Sequence, residues 1–214
     1  MQNESFGEPT KISFKDNIRN FYNKNKLSIF SFLFILILFF FAIVFYLHSQ
    51  ESKRLLLADL YIQSKIDLNN NNKNEAKKSL IKIIESNDKT YSVLSLFLLI
   101  NYNLIENDQK LVELFDHVLN NNKFENEIKN LIILKKTFIK SNFANETELL
   151  KDLQPLINSE TLWRSHALLL LGDYFLSKGE LRKAKESYVK ILSFTDTDNL
   201  HEQVKYRLQL RSYD

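Results

Sequence analysis

Residues 27–47 read LSIFSFLFILILFFFAIVFYL, a run without a charged residue, Gly or Pro. As a helix rising about 1.5 Å per residue, it covers roughly 31 Å, the thickness of a hydrocarbon core of about 30 Å. Seventeen of its 21 residues are Leu, Ile, Phe or Val. At about −0.3 to −0.6 kcal/mol each, these side chains alone favour insertion by roughly 5 to 10 kcal/mol. A buried helix of a small soluble domain keeps a polar stripe, which this run lacks. A cleaved signal peptide has a shorter apolar stretch, about 7–15 residues, followed by a small-x-small site. Here the run gives way to His48-Ser49-Gln50-Glu51, which has no such pair. Residues 27–47 therefore read as an uncleaved transmembrane signal-anchor helix, with Tyr46 where an interfacial aromatic belongs.

Basic residues near a membrane helix favour the cytoplasmic side. Lys11, Lys15, Arg19, Lys24 and Lys26 precede the run, while Lys53 and Arg54 are the only basic residues between it and Lys65. Residues 1–26 are thus expected to be a cytoplasmic basic tail, and residues 48–214 to lie across the membrane. Within the tail, Ile12, Phe14, Ile18, Phe21 and Tyr22 recur near helical spacing and allow at most a short interfacial helix.

Beyond the run the chain is a different material. It has 3 Gly, 2 Pro and no Cys in total, too few breakers for the turns of a sandwich, barrel or propeller. An all-α fold follows. The missing Cys removes disulfides, thiolate nucleophiles and zinc knuckles, and a spread net charge of +3 gives no basic face for nucleic acid. Helical periodicity recurs in short blocks, as in Leu111, Leu114, Phe115, Val118 and Leu119. Asn-rich breaks at 69–72, 87–88, 106–108, 120–122 and 142–145 separate the blocks. Asn adopts the left-handed conformation that ends a helix and caps the next one, so it can replace Gly here. Short amphipathic helices joined by such breaks imply antiparallel hairpins.

Self-similarity at fixed period is clearest over residues 165–198. Leu171-Gly172 is followed by Phe175, Gly179, Leu181, Ala184, Tyr188 and Leu192. This is the spacing of the tetratricopeptide repeat, which the segment resembles. In that pattern Gly172 and Ala184 are small where two helices cross, Phe175 and Tyr188 fill the space between them, and Gly179 permits the turn. The repeat's closing Pro is absent, with Asp196 near its position. Ala76 with Leu80 and Ile83, and Leu111 with Phe115 and Val118, look like second helices of earlier hairpins, 35 residues apart. Residues 127–140 and 146–157 form a third pair. The expected architecture is an α-solenoid of about four tetratricopeptide-like hairpins, closed by a capping helix over 200–210 that turns Glu202, Gln203, Lys205, Arg207 and Gln209 to solvent.

A basic tail, one N-terminal membrane helix and divergent repeats ending in a better-formed unit resemble the YfgM-type ancillary subunits of the bacterial Sec translocon. The likeness rests on Leu162-Trp163 through Lys178-Gly179, where Trp163 opens the last repeat, and on the helix over 200–210. The resemblance implies a bacterial inner-membrane protein whose domain over 48–214 is periplasmic. It also implies Sec translocon subunits, periplasmic chaperones or emerging secreted chains as partners. A scaffold for cell-envelope assembly or cytochrome maturation complexes is the alternative.

Catalytic constellations do not rise above chance. His48, His117, His166 and His201 are scattered, and Glu113 with His117 makes a surface i, i+4 pair. There is no phosphate loop, Gly-x-Ser-x-Gly or His-Glu-x-x-His. No enzyme, cofactor, metal, nucleic acid or small-molecule substrate is expected. Tetratricopeptide stacks present the first helix of each hairpin on a concave wall. In the last unit this geometry points to His166, Leu169, Asp173 and Leu176 as partner-binding residues, and to Trp163, Gly172, Phe175, Gly179, Ala184 and Tyr188 as packing residues. Protease added to spheroplasts carrying the full chain is expected to digest residues 48–214. A protected C-terminal domain would reverse the assigned orientation.

Overall fold

The computed structural model describes residues 14–194 and 198–209, and every residue in regular structure there is helical. The order is α1 (Phe14–Asn69), α2 (Lys73–Glu85), α3 (Tyr91–Asn101), α4 (Asp108–Asn121), α5 (Asn126–Lys140), α6 (Glu146–Ile157), α7 (Arg164–Ser177), α8 (Leu181–Leu192) and α9 (Asp198–Gln209). The chain divides into two compact units, residues 1–55 and 56–214. The expected tail over 1–13, the turn position of Asp196 and Leu210 at the end of the cap lie outside the described residues, as do the side chains of Ile12, Phe14, Ile18 and Tyr22.

In the first unit, α1 carries the apolar run. Its most apolar 18-residue window has a mean hydropathy of 3.0 and none of it is buried. Among the described residues this is one helix long and apolar enough to cross a membrane. Its Phe side chains stand outward, Phe45 being 76% exposed. No residue between 14 and 69 is Gly or Pro, so nothing in the backbone stops the helix, and it runs unbroken to the four Asn at 69–72.

The second unit is a stack of consecutive helices around two apolar clusters. The first is built from residues such as Leu80, Ile83 and Ile84 of α2, Leu96 and Leu99 of α3 and Phe115 of α4. The second gathers Leu149, Leu153 and Leu156 of α6, Leu168 and Phe175 of α7, and Tyr188 and Ile191 of α8. Helix α5 serves both, since Ile132 and Ile139 are buried in the first while Ile133 and Leu134 pack on the second. Packing is most extensive between α7 and α8, the unit with the best repeat motif, and slight between α3 and α4.

Asparagine makes the turns. Asn71, Asn87 and Asn103 adopt φ values of 62°, 58° and 49°, in the left-handed region that ends a helix. Asn107 caps α4 by accepting the Lys110 backbone N–H at 2.9 Å. Asn145 accepts the Glu148 N–H at 2.9 Å while the Glu148 carboxylate reaches back to the Asn145 N–H, a capping box at the start of α6. The break at 120–122 works differently, for Asn122 is extended and its amide donates to the Val118 carbonyl at 3.0 Å. After α7 the turn falls to Gly179, with φ at +77°.

The α7–α8 crossing fixes the C-terminal half. A Cβ on Gly172 would stand 2.4 Å from Cε1 and 2.7 Å from Cδ1 of Tyr188, so the Tyr188 ring occupies the place a side chain would take. That ring is 2% exposed, and its hydroxyl donates to Asp173 Oδ1 at 2.6 Å. Helix α9 closes the stack with Leu200 and Val204 buried and Glu202, Gln203 and Lys205 exposed. Arg207 departs from the solvent-facing arrangement expected of it. Its Nε donates to Asp173 Oδ1 at 2.7 Å and a terminal nitrogen to Oδ2 at 3.0 Å, the bidentate fork a guanidinium makes with a carboxylate. Asp173 thereby ties three helices together.

Two predictions follow from this crossing. Gly172→Ala is expected to lower stability by about 1–3 kcal/mol, because the ring it meets is buried and held at its far end. Thermal unfolding of the full chain in detergent, followed by far-ultraviolet circular dichroism, measures it. The second concerns alkali. Burial, then the hydrogen bond to Asp173 and its charge, raise the Tyr188 phenol above its ordinary range. Between the unfolded phenol's value, about 10, and the raised one, the fold holds a proton that the unfolded chain has released. Tyr188 therefore stabilises the fold fully below about pH 10 and loses that contribution as pH rises further. Denaturant unfolding across this range should show a steeper alkaline decline for the wild-type chain than for Tyr188→Phe.

Candidate protein-binding groove

Helices α3, α5 and α7 are the first helices of their hairpins and share one wall of the stack. Helix α5 carries two apolar patterns at once. Ile132 and Ile139 are buried, whereas Ile128, Leu131, Lys135, Phe138 and Asn142, spaced three or four apart, form a separate stripe. Ile128 and Phe138 on this stripe are 44% and 65% exposed. The facing stripe on α7 runs through His166, Leu169, Leu170, Asp173 and Ser177. Between the two lies a groove of about 640 Å³ lined chiefly by apolar atoms, with Ile100, Leu134, Ile139 and Tyr174 also contributing. A smaller groove of about 390 Å³ lies between α3 and the start of α5, lined by residues including Leu94, Phe97, Ile128 and Leu131.

Of the four residues expected to face a partner, His166, Leu169 and Asp173 line the larger groove. Leu176 is not among its lining residues and packs, half-buried, against the second apolar cluster. A step of ten residues along a helix turns a side chain well away from its starting face, so His166 and Leu176 do not share one stripe. The carboxylate of Asp173 is engaged by Tyr188 and Arg207, leaving it little acceptor capacity for a ligand.

Among the packing residues, Ala184 and Phe175 are buried in the second cluster. Trp163 is half-buried at the N-cap of α7. Its indole Nε1 donates to the Glu127 carbonyl at 2.9 Å, joining the starts of α5 and α7. Its ring centroid lies 5.6 Å from that of His166, which connects it to the groove edge. His117 stands elsewhere on α4, against Asn121, and among the described residues no three His, Asp or Glu side chains gather as a metal site.

The groove's charges are unevenly treated. On α5, Lys136 pairs with Asp116 and Lys140 with Asp152, each at 2.9 Å. Lys135, between them in sequence, lies instead over the Phe97 ring at 5.3 Å. Lys178, at the other wall, lies over the Tyr174 ring at 5.4 Å. Behind the groove, Lys183 bridges Glu180 at 2.7 Å and Glu146 at 2.9 Å, and the hydrogen bond to Glu180 followed by that to Glu146 raises its ammonium above the ordinary lysine range.

The sequence pattern did not mark Phe138, Lys135 or Lys178 as groove residues, and it assigned Arg207 to solvent. For the first two the signal was present, as a second stripe on α5 offset from the buried one. For Arg207 there was none, since its partner lies 34 residues away.

No curated protein and no solved structure matches the chain. The model of the tetratricopeptide repeat-like domain family matches residues 19–210, taking in nearly all of the chain. Hairpins stacked in order, small residues where α7 and α8 cross and a wall of first helices are the features by which such a stack holds segments of other proteins. On that match and that architecture, the chain belongs to the tetratricopeptide repeat-like domain family.

Proposed function

We propose that this protein is a membrane-anchored protein–protein interaction module of the bacterial inner membrane. Its N-terminus is cytoplasmic, residues 27–47 span the bilayer, and residues 48–214 form a periplasmic repeat domain. There it serves as an ancillary subunit of the Sec translocon and holds periplasmic chaperones or emerging secreted chains close to the exit site. The observation that carries this reading is an open, apolar-lined groove on the first-helix wall of a repeat domain whose chain also carries a helix apolar enough to cross a membrane. The layout shared with YfgM-type subunits supports the choice of translocon.

The mechanism is tethering. Confinement to the membrane plane raises the local concentration of one partner around another, so modest contacts suffice. No bond is made or broken by the chain itself. His166, Leu169 and Phe138 are the contact residues of this reading, and Asp173, itself on the groove wall, ties α7 to α8 and α9 through Tyr188 and Arg207.

A photo-reactive amino acid placed at Phe138 or Leu169 of the full chain, in intact membranes, tests it. Cross-links to translocon subunits or periplasmic chaperones are expected, and the same probe at exposed Lys82 on α2 should give none. Capture dominated by envelope-assembly or cytochrome-maturation factors would replace this reading with a scaffold for those complexes.

A further inference from the structure

We propose that the groove between α5 and α7 selects an acidic segment with an apolar anchor, its carboxylates meeting Lys135 and Lys178 and its apolar side chains meeting Phe138 and Leu169. This rests on the interaction-module reading and adds the chemistry of the partner.

Charge complementarity carries it. Lys135 and Lys178 line the groove, and among the described residues neither has an ion pair. Their neighbours Lys136, Lys140 and Lys183 are all matched with carboxylates. The single acidic residue lining the groove, Asp173, is neutralised by Arg207. The groove thus presents two exposed ammonium groups without a carboxylate partner beside apolar walls, a charge pattern that complements an acidic segment.

How the two lysines are held favours a ligand role. Each ammonium lies over an aromatic face, Phe97 or Tyr174, at just over 5 Å. A ring attracts the cation through its quadrupole and restrains the side chain, yet it neutralises no charge and leaves N–H donors for a carboxylate. An ion pair would have consumed both. Phe138, 65% exposed and lining the same groove, offers the apolar contact. The adjoining groove also carries two lysines, Lys89 and Lys123, beside Leu94, Phe97 and Ile128, with one carboxylate, Glu125. A segment reaching across Phe97 would meet the same chemistry twice.

Trp163 is the only Trp in the chain and its ring neighbours His166 at the groove edge, which supplies an intrinsic reporter. The full chain in discs of neutral lipid is titrated with a short amphipathic peptide of Leu and Glu, and with its Gln and Lys counterparts. Trp163 emission and peptide fluorescence anisotropy are followed, with empty discs as the blank. The Glu peptide is expected to bind about tenfold tighter than the Gln peptide at low salt, an advantage that shrinks as added salt screens the charges. Lys135→Gln combined with Lys178→Gln should abolish the advantage, bringing the Glu peptide down to the Gln peptide's affinity, with the far-ultraviolet circular dichroism spectrum showing the helices intact. Lys82→Gln should do nothing.

Equal or tighter binding of the Gln or Lys peptide overturns the proposal, as does failure of all three to bind. Anionic-lipid vesicles that displace the Glu peptide, and bind more tightly than it does, would make the lysines a membrane-facing site and overturn it too. If the Phe138 cross-link captures a protein while the Glu peptide shows no preference, acid selectivity falls and the interaction module stands. If that cross-link captures nothing, both fall.

Discussion

The C-terminal half of the repeat domain depends on one contact, the Tyr188 ring lying where a Gly172 side chain would be. A larger residue at 172 would push α8 off α7 or turn the ring, and the Tyr188 hydroxyl would leave Asp173. Asp173 is the common acceptor for Tyr188 of α8 and Arg207 of α9, so the loss would reach the cap of the stack. The same residue sits on the wall of the groove. Helix packing behind α7 and the shape of the surface in front of it are therefore set by neighbouring residues, Gly172 and Asp173. Partly exposed ion pairs contribute little stability by themselves. What the Asp173–Arg207 fork provides is direction, because two parallel hydrogen bonds hold α9 in one orientation against α7.

Much of this was legible in the sequence because it is local. Gly172 and Gly179 stand seven residues apart at the small-residue and turn positions of the repeat, and they are found facing a ring and at positive φ. Asparagine was legible as a turn residue for a similar reason, since its tolerance of the left-handed region belongs to the residue itself. The bounds of α1 were less so. An apolar run over 27–47 was plain, but the helix continues to Asn69 because backbone geometry responds to breakers and not to the end of an apolar stretch. The groove was legible only in part. His166, Leu169 and Asp173 follow from repeat geometry on one helix, whereas the α5 wall and the partner of Arg207 depend on which helices become neighbours. Leu176 shows the limit of spacing alone, being apolar, on the right helix and turned toward the core.

Two ways of satisfying apolar surface coexist in this chain. Over residues 30–47 the Phe, Leu and Ile side chains stand outward all round the helix, as they can when lipid is the solvent. From residue 56 onward the stack must make its own interior, and it does so with short helices whose buried faces are mostly Leu, Ile and Ala, with Phe115, Phe175 and Tyr188 among them. Phe138 and Ile128 belong to this second part but are exposed like the first. They are not alone in this, for Leu162 and Tyr206 are also exposed, but Ile128 and Phe138 share one stripe of α5, and a contiguous apolar stripe costs solubility unless something covers it.

On the proposed function, an anchored groove has no need to be a tight one. A contact patch flanked by exposed lysines would give up bound segments quickly, because dissociation is governed by how fully the central contacts are dried. Freely diffusing partners would rarely be retained by such a site. Partners confined to the same membrane rebind before they escape, so occupancy comes from proximity while exchange stays fast. Strong ion pairs sealed inside the groove would reverse that balance, since carboxylates already in place would have to be displaced at each encounter. On the proposed function, Lys135 and Lys178, lying over aromatic rings and not in ion pairs, would keep a weak site ready for the next segment.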